Sequence, residues 1–267
     1  MDNISRTEIL NDAKQWMFEA GELIKTEMVR PFKISNKRDR KDLVTEIDEL
    51  VEQFLYGKIT SKYGHHQVLG EEGMGDDVRS LDGTVWLVDP IDGTMNFVHQ
   101  KRFFAISIGI YHHGIGEIGL IYDVMADVMY EGIRGEGAFK NGLQLEPLDE
   151  NKTIDEAVIG INSFWSTPNR RLDEKKIHQL VRTVKGTRSY GSAALEFAFI
   201  AEGMIDAYIT MRLSPWDIAA GMVIVNEVGG ITTKADQSPV DLLKGNSIIC
   251  CNKAIYDSIT TYIDLKK

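Results

Sequence analysis

The chain has 267 residues, 43% hydrophobic and 26% charged, the balance of an ordinary globular protein with one large domain or two small ones. Thirty Lys and Arg stand against forty Asp and Glu, and the net charge of −10 opposes non-specific binding to nucleic acid or to an anionic membrane face. The same composition excludes disorder, collagen and coiled coil.

Apolar residues at Leu10, Ala13, Met17, Ala20, Ile24 and Met28 recur at steps of three and four, which predicts a helix that Pro31 stops. A second helix is predicted from Ile47, Leu50, Val51, Phe54 and Leu55 to about Lys62. Between them Lys33 to Asp42, with five cations and two acids, reads as an exposed, mobile connector. Strands are predicted at Val85 to Val88, Phe103 to Tyr111, Ile118 to Tyr122 and Val128 to Ile133, with a hairpin from Gly137 to Leu145 about Asn141-Gly142. The charged, turn-rich stretch Glu146 to Asp155 predicts a boundary between an α+β half, residues 1–150, and an α/β half, residues 151–267. The second half reads as strand Ala157 to Ile161, helices Arg171 to Val184 and Ser192 to Glu202, and strand Ile205 to Ile209. Helix Pro215 to Val228, strand Ser247 to Cys251 and a last helix from about Ala254 follow. Cys250 and Cys251 are neighbours, a spacing that disfavours a disulfide. Met1 to Glu8 lacks the apolar core of a signal peptide, and the run Phe103 to Tyr111 is far shorter than a membrane span, so a cytoplasmic protein is expected.

Some motifs are decoys. Gly114 to Gly119 matches GxGxxG but lies between two strand-like runs, so it predicts a hairpin turn and not a dinucleotide site. No P-loop and no GxSxG elbow occurs, and His65-His66 and His112-His113 lack helical zinc spacing and read as loop histidines. The informative feature is the acidity between Glu71 and Asp92, where seven carboxylates meet one cation, Arg79. This is either a solvated loop or a cation site. An apolar strand from Trp86 delivers Asp89 at its end, Pro90 fixes the turn, and Asp92 follows three residues on. The two carboxylates, with the Ile91 carbonyl between them, can converge on one point, and oxygen-only ligation selects Mg²⁺, Mn²⁺ or Ca²⁺. Gly93 lets the backbone approach a ligand, and Thr94, if it opens a helical turn, adds a hydroxyl and N–H groups for phosphate. Gly70-Glu71-Glu72-Gly73 is a second acidic turn upstream, and Asp217 stands near a helix start, where it either complements the helix dipole or joins the chemistry. The two residues between Asp89 and Asp92 argue against a covalent aspartyl phosphatase.

Asp42 to Asp48, Gly70-Glu71-Glu72, Trp86 to His99, Arg188 to Ala194, and Trp216-Asp217 leading to Glu227-Val228-Gly229-Gly230 stand in an order and spacing that resembles the inositol monophosphatase family. That family lies within a larger group of Mg²⁺-dependent, lithium-sensitive phosphatases, and the resemblance covers about residues 37 to 230. It implies an α+β fold, a layered αβαβα sandwich with its site at the junction of the two halves. It implies one Mg²⁺ on Glu71, Asp89 and the Ile91 carbonyl, and a second on Asp89, Asp92 and Asp217. A third, weaker ion would lean on Glu71 and waters, near Lys37, which is otherwise a solvated loop lysine. One ion activates a water that attacks phosphorus while the other stabilises the departing alkoxide. Thr94 with Asp48 resembles the pair that orients or deprotonates this water. The backbone N–H groups of Gly93 and Thr94 would grip phosphate, and Asp92 with Gly191-Ser192-Ala193 would meet the substrate's hydroxyl groups.

Where animal members place a glutamate for an inositol hydroxyl, this chain has Thr210, followed by Arg212. An arginine there could pair with a second phosphate, or serve as a surface or dimer-interface residue. The reading is a Mg²⁺-dependent phosphomonoesterase for inositol 1-phosphate and related small phosphates. Its alternatives are a broader sugar and nucleotide phosphatase that takes the 2′-phosphate of NADP, and a catalytically idle protein that acts through contacts. A homodimer is expected from the resemblance.

Overall fold

In the computed structural model, which describes Met1, residues 3–36 and residues 43–266, helix α1 (Asn3–Glu27) buries Ile9, Ala13, Trp16, Met17, Ala20 and Ile24 along one stripe. It starts a full two turns before the apolar periodicity does. Strands β1 (Ile34–Asn36) and β2 (Leu43–Thr45) then pair antiparallel, so the ends of the predicted connector form a hairpin. Lys37 and the rest of the basic run lie outside the described residues. Helix α2 (Glu46–Lys62) opens with a capping box in which Thr45 and Asp48 satisfy each other's exposed backbone groups.

The seven-stranded sheet comprises β3 (Gln67–Gly70), β4 (Thr84–Asp92), β5 (Ala105–His112), β6 (Ile115–Asp123), β7 (Val128–Ile133), β8 (Gly137–Lys140) and β9 (Leu143–Gln144), in that order across the sheet. Only β3 and β4 run parallel. Helix α3 (Thr94–Gln100) connects β4 to β5. The hairpin about Asn141-Gly142 forms as predicted, with both residues left-handed.

The second sheet has the order β11 (Gly186–Arg188), β10 (Val158–Ile161), β12 (Ala207–Leu213), β14 (Asn246–Asn252), β13 (Gly230–Thr233). Strand β10 is parallel to both its neighbours and β14 antiparallel to both of its own, so the α/β alternation produced a mixed sheet. Strands β3, β11 and β13 were not predicted; each is three or four residues long and lacks the apolar alternation that marks a strand. The helices of this half are α4 (Glu174–Thr183), α5 (Ala193–Ala201), α6 (Pro215–Glu227) and α7 (Tyr256–Thr260).

The layers follow from which face each strand residue takes. In β4, Trp86 and Val88 pack with α1 and α2, while Val85 and Leu87 pack with α5 and α6. In β14, Cys250 faces the α5 and α6 layer and Ile249 and Cys251 face α4 and α7. The order is α1 and α2, seven strands, α5 and α6, five strands, α4 and α7, which is the layered αβαβα sandwich expected. It also shows why the two cysteines are buried free thiols, since they point to opposite faces.

One glycine row brings the central layer into place. Gly109 of β5, Gly119 of β6 and Gly132 of β7 are register partners across three strands. A Cβ at each would come within 2.6 Å, 2.2 Å and 2.6 Å of Ala219, Ala220 and Ile224, so α6 lies directly on bare backbone. Gly119 closes the GxGxxG decoy. Of that motif only Gly114 sits in the hairpin turn; Gly116 and Gly119 are strand residues that make room for α6. His112 ends β5 and so departs from a loop reading, whereas His66 lies in the bend between α2 and β3 as a loop histidine but is not exposed. It is buried, stacks on Tyr63 at 4.9 Å and accepts the Trp86 Nε1–H at 3.0 Å; burial lowers its pKa to about 4 and keeps it neutral.

Candidate active site

Strand β4 bends where its chemistry begins. Asp89 is opposite Ser107 and Asp92 opposite Ala105, so three steps on β4 match two on β5, and the extra residue makes a bulge. In a regular strand residues three apart face opposite sides; the bulge lets Asp89 lie with Glu71 and Asp217 while Asp92 reaches the start of α5. Pro90 sits in the bulge, where a missing N–H costs little. The parallel pairing of Gly70 with Val88 then sets Glu71, the next residue, beside Asp89.

Asp217 arrives from the other half on the first turn of α6. One of its oxygens caps the helix by accepting the Ser214 N–H at 2.7 Å, so the carboxylate that complements the helix start is also the one that joins the acidic cluster. Carboxylate oxygens of Glu71, Asp89 and Asp217 all lie within 4.8 Å of one another, a spacing that one divalent cation could bridge. Burial, then the charges of Glu71, Asp92 and Asp217, push the Asp89 carboxyl well above its usual range. A cation would remove that penalty.

Asp92 is placed differently. Its Oδ2 accepts from the Ser192 hydroxyl and from the Ala194 N–H at 2.8 Å, which anchors it on the start of α5. Burial raises its carboxyl to about 6, against the lowering by those donors. It is not among the three carboxylates whose oxygens meet within 4.8 Å.

Thr94 Oγ1 is 3.2 Å from both Asp48 Oδ1 and the Ile91 carbonyl, so the chain brings together all three of these predicted site groups. The other oxygen of Asp48 accepts from Thr45, and the buried carboxylate therefore caps α2 while facing Thr94. Gly93 is left-handed at φ 94°, and a Cβ there would meet the Phe103 carbonyl and Ser192 Cβ at 3.1 Å and the Gly191 carbonyl at 3.3 Å. Only glycine fits where this turn meets the Gly191-Ser192-Ala193 segment. Thr210 is buried on β12. Two residues earlier Tyr208 has its phenol pushed far up by burial and by the charges of Glu196, Asp92 and Asp217. Arg212 lies in a second bulge, exposed and without an ion pair among the described residues.

Two buried glutamates that hold segments of the site escaped the sequence reading. Glu52 of α2 accepts the Glu72 and Met74 N–H groups at 2.7 and 2.8 Å and so holds the turn that carries Glu71. Glu196 of α5 accepts the Tyr190 N–H at 2.8 Å, and its Oε2 has no partner among the described residues. Both look like ordinary helix-surface acids in sequence.

Burial raises the Glu196 carboxyl from 4.5 to about 7, with Asp92 adding to the rise and the N–H groups of Tyr190 and Gly191 opposing it. A raised folded-state value means that stability is full below about pH 4.5 and is lost as pH rises through 7, by roughly 3 kcal/mol. Glu196→Gln is expected to remove this component. The stability difference between variant and wild type, followed by denaturant unfolding of the metal-free protein, should shift in favour of the variant between pH 5 and pH 8. A pH-independent difference would place Glu196 outside this role.

The family model described as the inositol monophosphatase family matches residues 5–265. An inositol-1-monophosphatase of Bacillus subtilis (strain 168) is 51% identical over 253 residues, 95% of this chain and 95% of that protein. The structure of SaIMPase-II with inositol monophosphate bound is 40% identical with a TM-score of 0.85, over 95% of this chain and 92% of that one. An IMPase/NADP phosphatase, solved with NADP and Ca²⁺ and again with Mg²⁺ and phosphate, is 26% identical with a TM-score of 0.90. That match covers 98% of this chain and 98% or 99% of the other.

Proposed function

The chain belongs to the inositol monophosphatase family, and from that premise we propose that it hydrolyses inositol 1-phosphate to inositol and phosphate, as a phosphoric monoester hydrolase dependent on Mg²⁺. The observation that carries the reading is the convergence of Glu71, Asp89 and Asp217 from three separate elements onto one point beside Thr94 and Asp48. The donors fit a hard divalent cation, because all are carboxylate oxygens and Asp89 is buried among like charges.

Glu71, Asp89 and the Ile91 carbonyl would hold one Mg²⁺, and Asp89, Asp92 and Asp217 a second; such ions, when bound, would supply a more acidic water and a counter-charge for the leaving oxygen. The chain's own residues orient the reactants. Asp48 Oδ1 accepts the Thr94 hydroxyl proton, leaving the Thr94 oxygen to hold an attacking water. The Gly93 and Thr94 N–H groups face phosphate, and Asp92 with Gly191-Ser192-Ala193 faces the alcohol. The halves 1–150 and 151–267 thus supply the phosphate side and much of the alcohol side.

A broader specificity that includes the 2′-phosphate of NADP is favoured by the uncharged, buried Thr210 at the alcohol side and by the NADP complex of a relative. Binding of a third ion near Lys37, inhibition by lithium, a homodimer and a cytoplasmic location belong to the same proposal. No helix among the described residues is long and apolar enough to cross a membrane.

The test is phosphate release with Mg²⁺ from inositol 1-phosphate, NADP, 3′-phosphoadenosine 5′-phosphate and fructose 1,6-bisphosphate. Inositol 1-phosphate is expected to be turned over and chelation to abolish it. Release from none of the four would overturn the reading and leave the idle alternative.

A further inference from the structure

Asn96 is buried and contributes to none of the roles above. It lies two residues beyond Thr94 on α3, so its position is fixed to the phosphate-facing turn. Its Nδ2 donates to the Tyr190 carbonyl at 2.6 Å and to the Phe103 carbonyl at 2.8 Å, and its Oδ1 accepts from Gln100 Nε2 at 3.0 Å. The two backbone carbonyls can only accept, so they leave the Asn96 amide one orientation.

Both carbonyls belong to unusual backbone. Phe103 is left-handed at φ 57°, and Gly191, directly after Tyr190, is left-handed at φ 80°. A non-glycine residue keeps such a conformation only when its surroundings hold it there. A Cβ at Gly191 would meet Asn96 Nδ2 at 3.0 Å, so the amide rests against that peptide. The Tyr190 N–H is held from the other side by Glu196, and Ser192 and Ala194 are held by Asp92. A closed ring therefore runs from Asn96 to the Tyr190 carbonyl, along the chain to Ser192, across to Asp92, on to Gly93 and back through the Phe103 carbonyl that Asn96 holds.

We propose that Asn96 is a positioning residue that sets substrate preference, by fixing the hydroxyl-facing segment Tyr190-Gly191-Ser192 at a set distance from the phosphate-facing turn. The assignment rests on the reading under Proposed function. A phosphorylated polyol spans the turn and the segment and needs both at the right separation. An aryl phosphate engages the phosphate and metal side and has no hydroxyl groups for the segment. Asn96 touches neither substrate nor metal and acts through the backbone it clamps.

Asn96→Asp keeps the shape and replaces the double donor with a carboxylate facing two carbonyl oxygens. Its kcat/KM for inositol 1-phosphate is expected to fall by about tenfold or more, chiefly through KM, while that for 4-nitrophenyl phosphate changes by less than about threefold. Gln100→Ala, at an exposed position, removes the donor that braces the Asn96 oxygen and should move the same ratio in the same direction by a smaller factor. Equal losses on both substrates, or an unchanged ratio in both variants, would overturn the assignment. Should Asn96→Asp fail to fold, the Gln100→Ala ratio decides. Wild-type protein that released phosphate from neither substrate would overturn the proposed function itself, and the two failures are thereby distinguished.

Discussion

Replacing Asp89 by Asn is expected to lower turnover of inositol 1-phosphate roughly a thousandfold, about 4 kcal/mol of transition-state stabilisation. At the same time the metal-free protein should become more stable. The two effects have one cause. Asp89 is buried beside Glu71, Asp92 and Asp217, and its carboxyl is held well above the usual range by that burial and those charges. A neutral amide of the same shape keeps the acceptor for the Ile91 N–H at 3.0 Å and cannot carry the charge that burial and the neighbouring carboxylates oppose, so the metal-free variant is expected to unfold at a higher temperature. The same change removes the ligand that the proposed metals share. Wild-type protein should gain stability on adding Mg²⁺, by about 2.7 kcal/mol when the ion is at a hundred times its dissociation constant. The variant should gain far less. Thermal unfolding in chelator and in Mg²⁺, beside phosphate release, measures all of this. Near-normal turnover, or a destabilised apo variant that keeps the full Mg²⁺ response, would show that Asp89 serves the fold and not a metal.

That Asp89, Asp92, Ile91, Gly93 and Thr94 share one place was legible because they are neighbours in sequence. Glu71 and Asp217 were legible through the spacing of the five matching segments, and the register of Gly70 with Val88 shows how the first is delivered. Asp92 was legible as a site residue, yet its anchoring on the start of α5 was not, because Ser192 and Ala194 lie 100 and 102 residues away. Glu52, Glu196 and Asn96 were invisible for a related reason. Each is buried by its partners across the fold, and a polar residue in a helix carries no local mark of that. The layered architecture was expected from the resemblance, while the short strands β3, β11 and β13 were not, since each is recruited by pairing with a longer neighbour and not by its own pattern. GxGxxG shows the reverse case, in which a familiar pattern has a different physical cause.

That cause leads to the largest stability effect expected. A methyl group added at Gly119 would lie 2.2 Å from the Ala220 carbonyl oxygen and 3.0 Å from the Ala220 carbonyl carbon, so backbone must move against backbone. Gly119→Ala is expected to destabilise the protein by about 3 kcal/mol or more, beyond the gain of Ala over Gly in the unfolded chain. Activity should fall further than stability accounts for. Helix α6 carries Asp217 on its first turn, and its seat on Gly109, Gly119 and Gly132 is what aligns that turn with Glu71 and Asp89. A helix lifted by even a few tenths of an ångström moves its carboxylate relative to the other two. The control is Gly57→Ala in α2, where nothing lies within 4 Å of the added Cβ and the position is exposed. There the same chemical change should stabilise by about 1 kcal/mol and leave the Mg²⁺ dependence of turnover unaltered. If Gly119→Ala unfolds at the wild-type temperature with wild-type Mg²⁺ dependence, the close seating of α6 does not align the proposed metal ligands, and Asp217 must be aligned by its own capping contact with Ser214 alone.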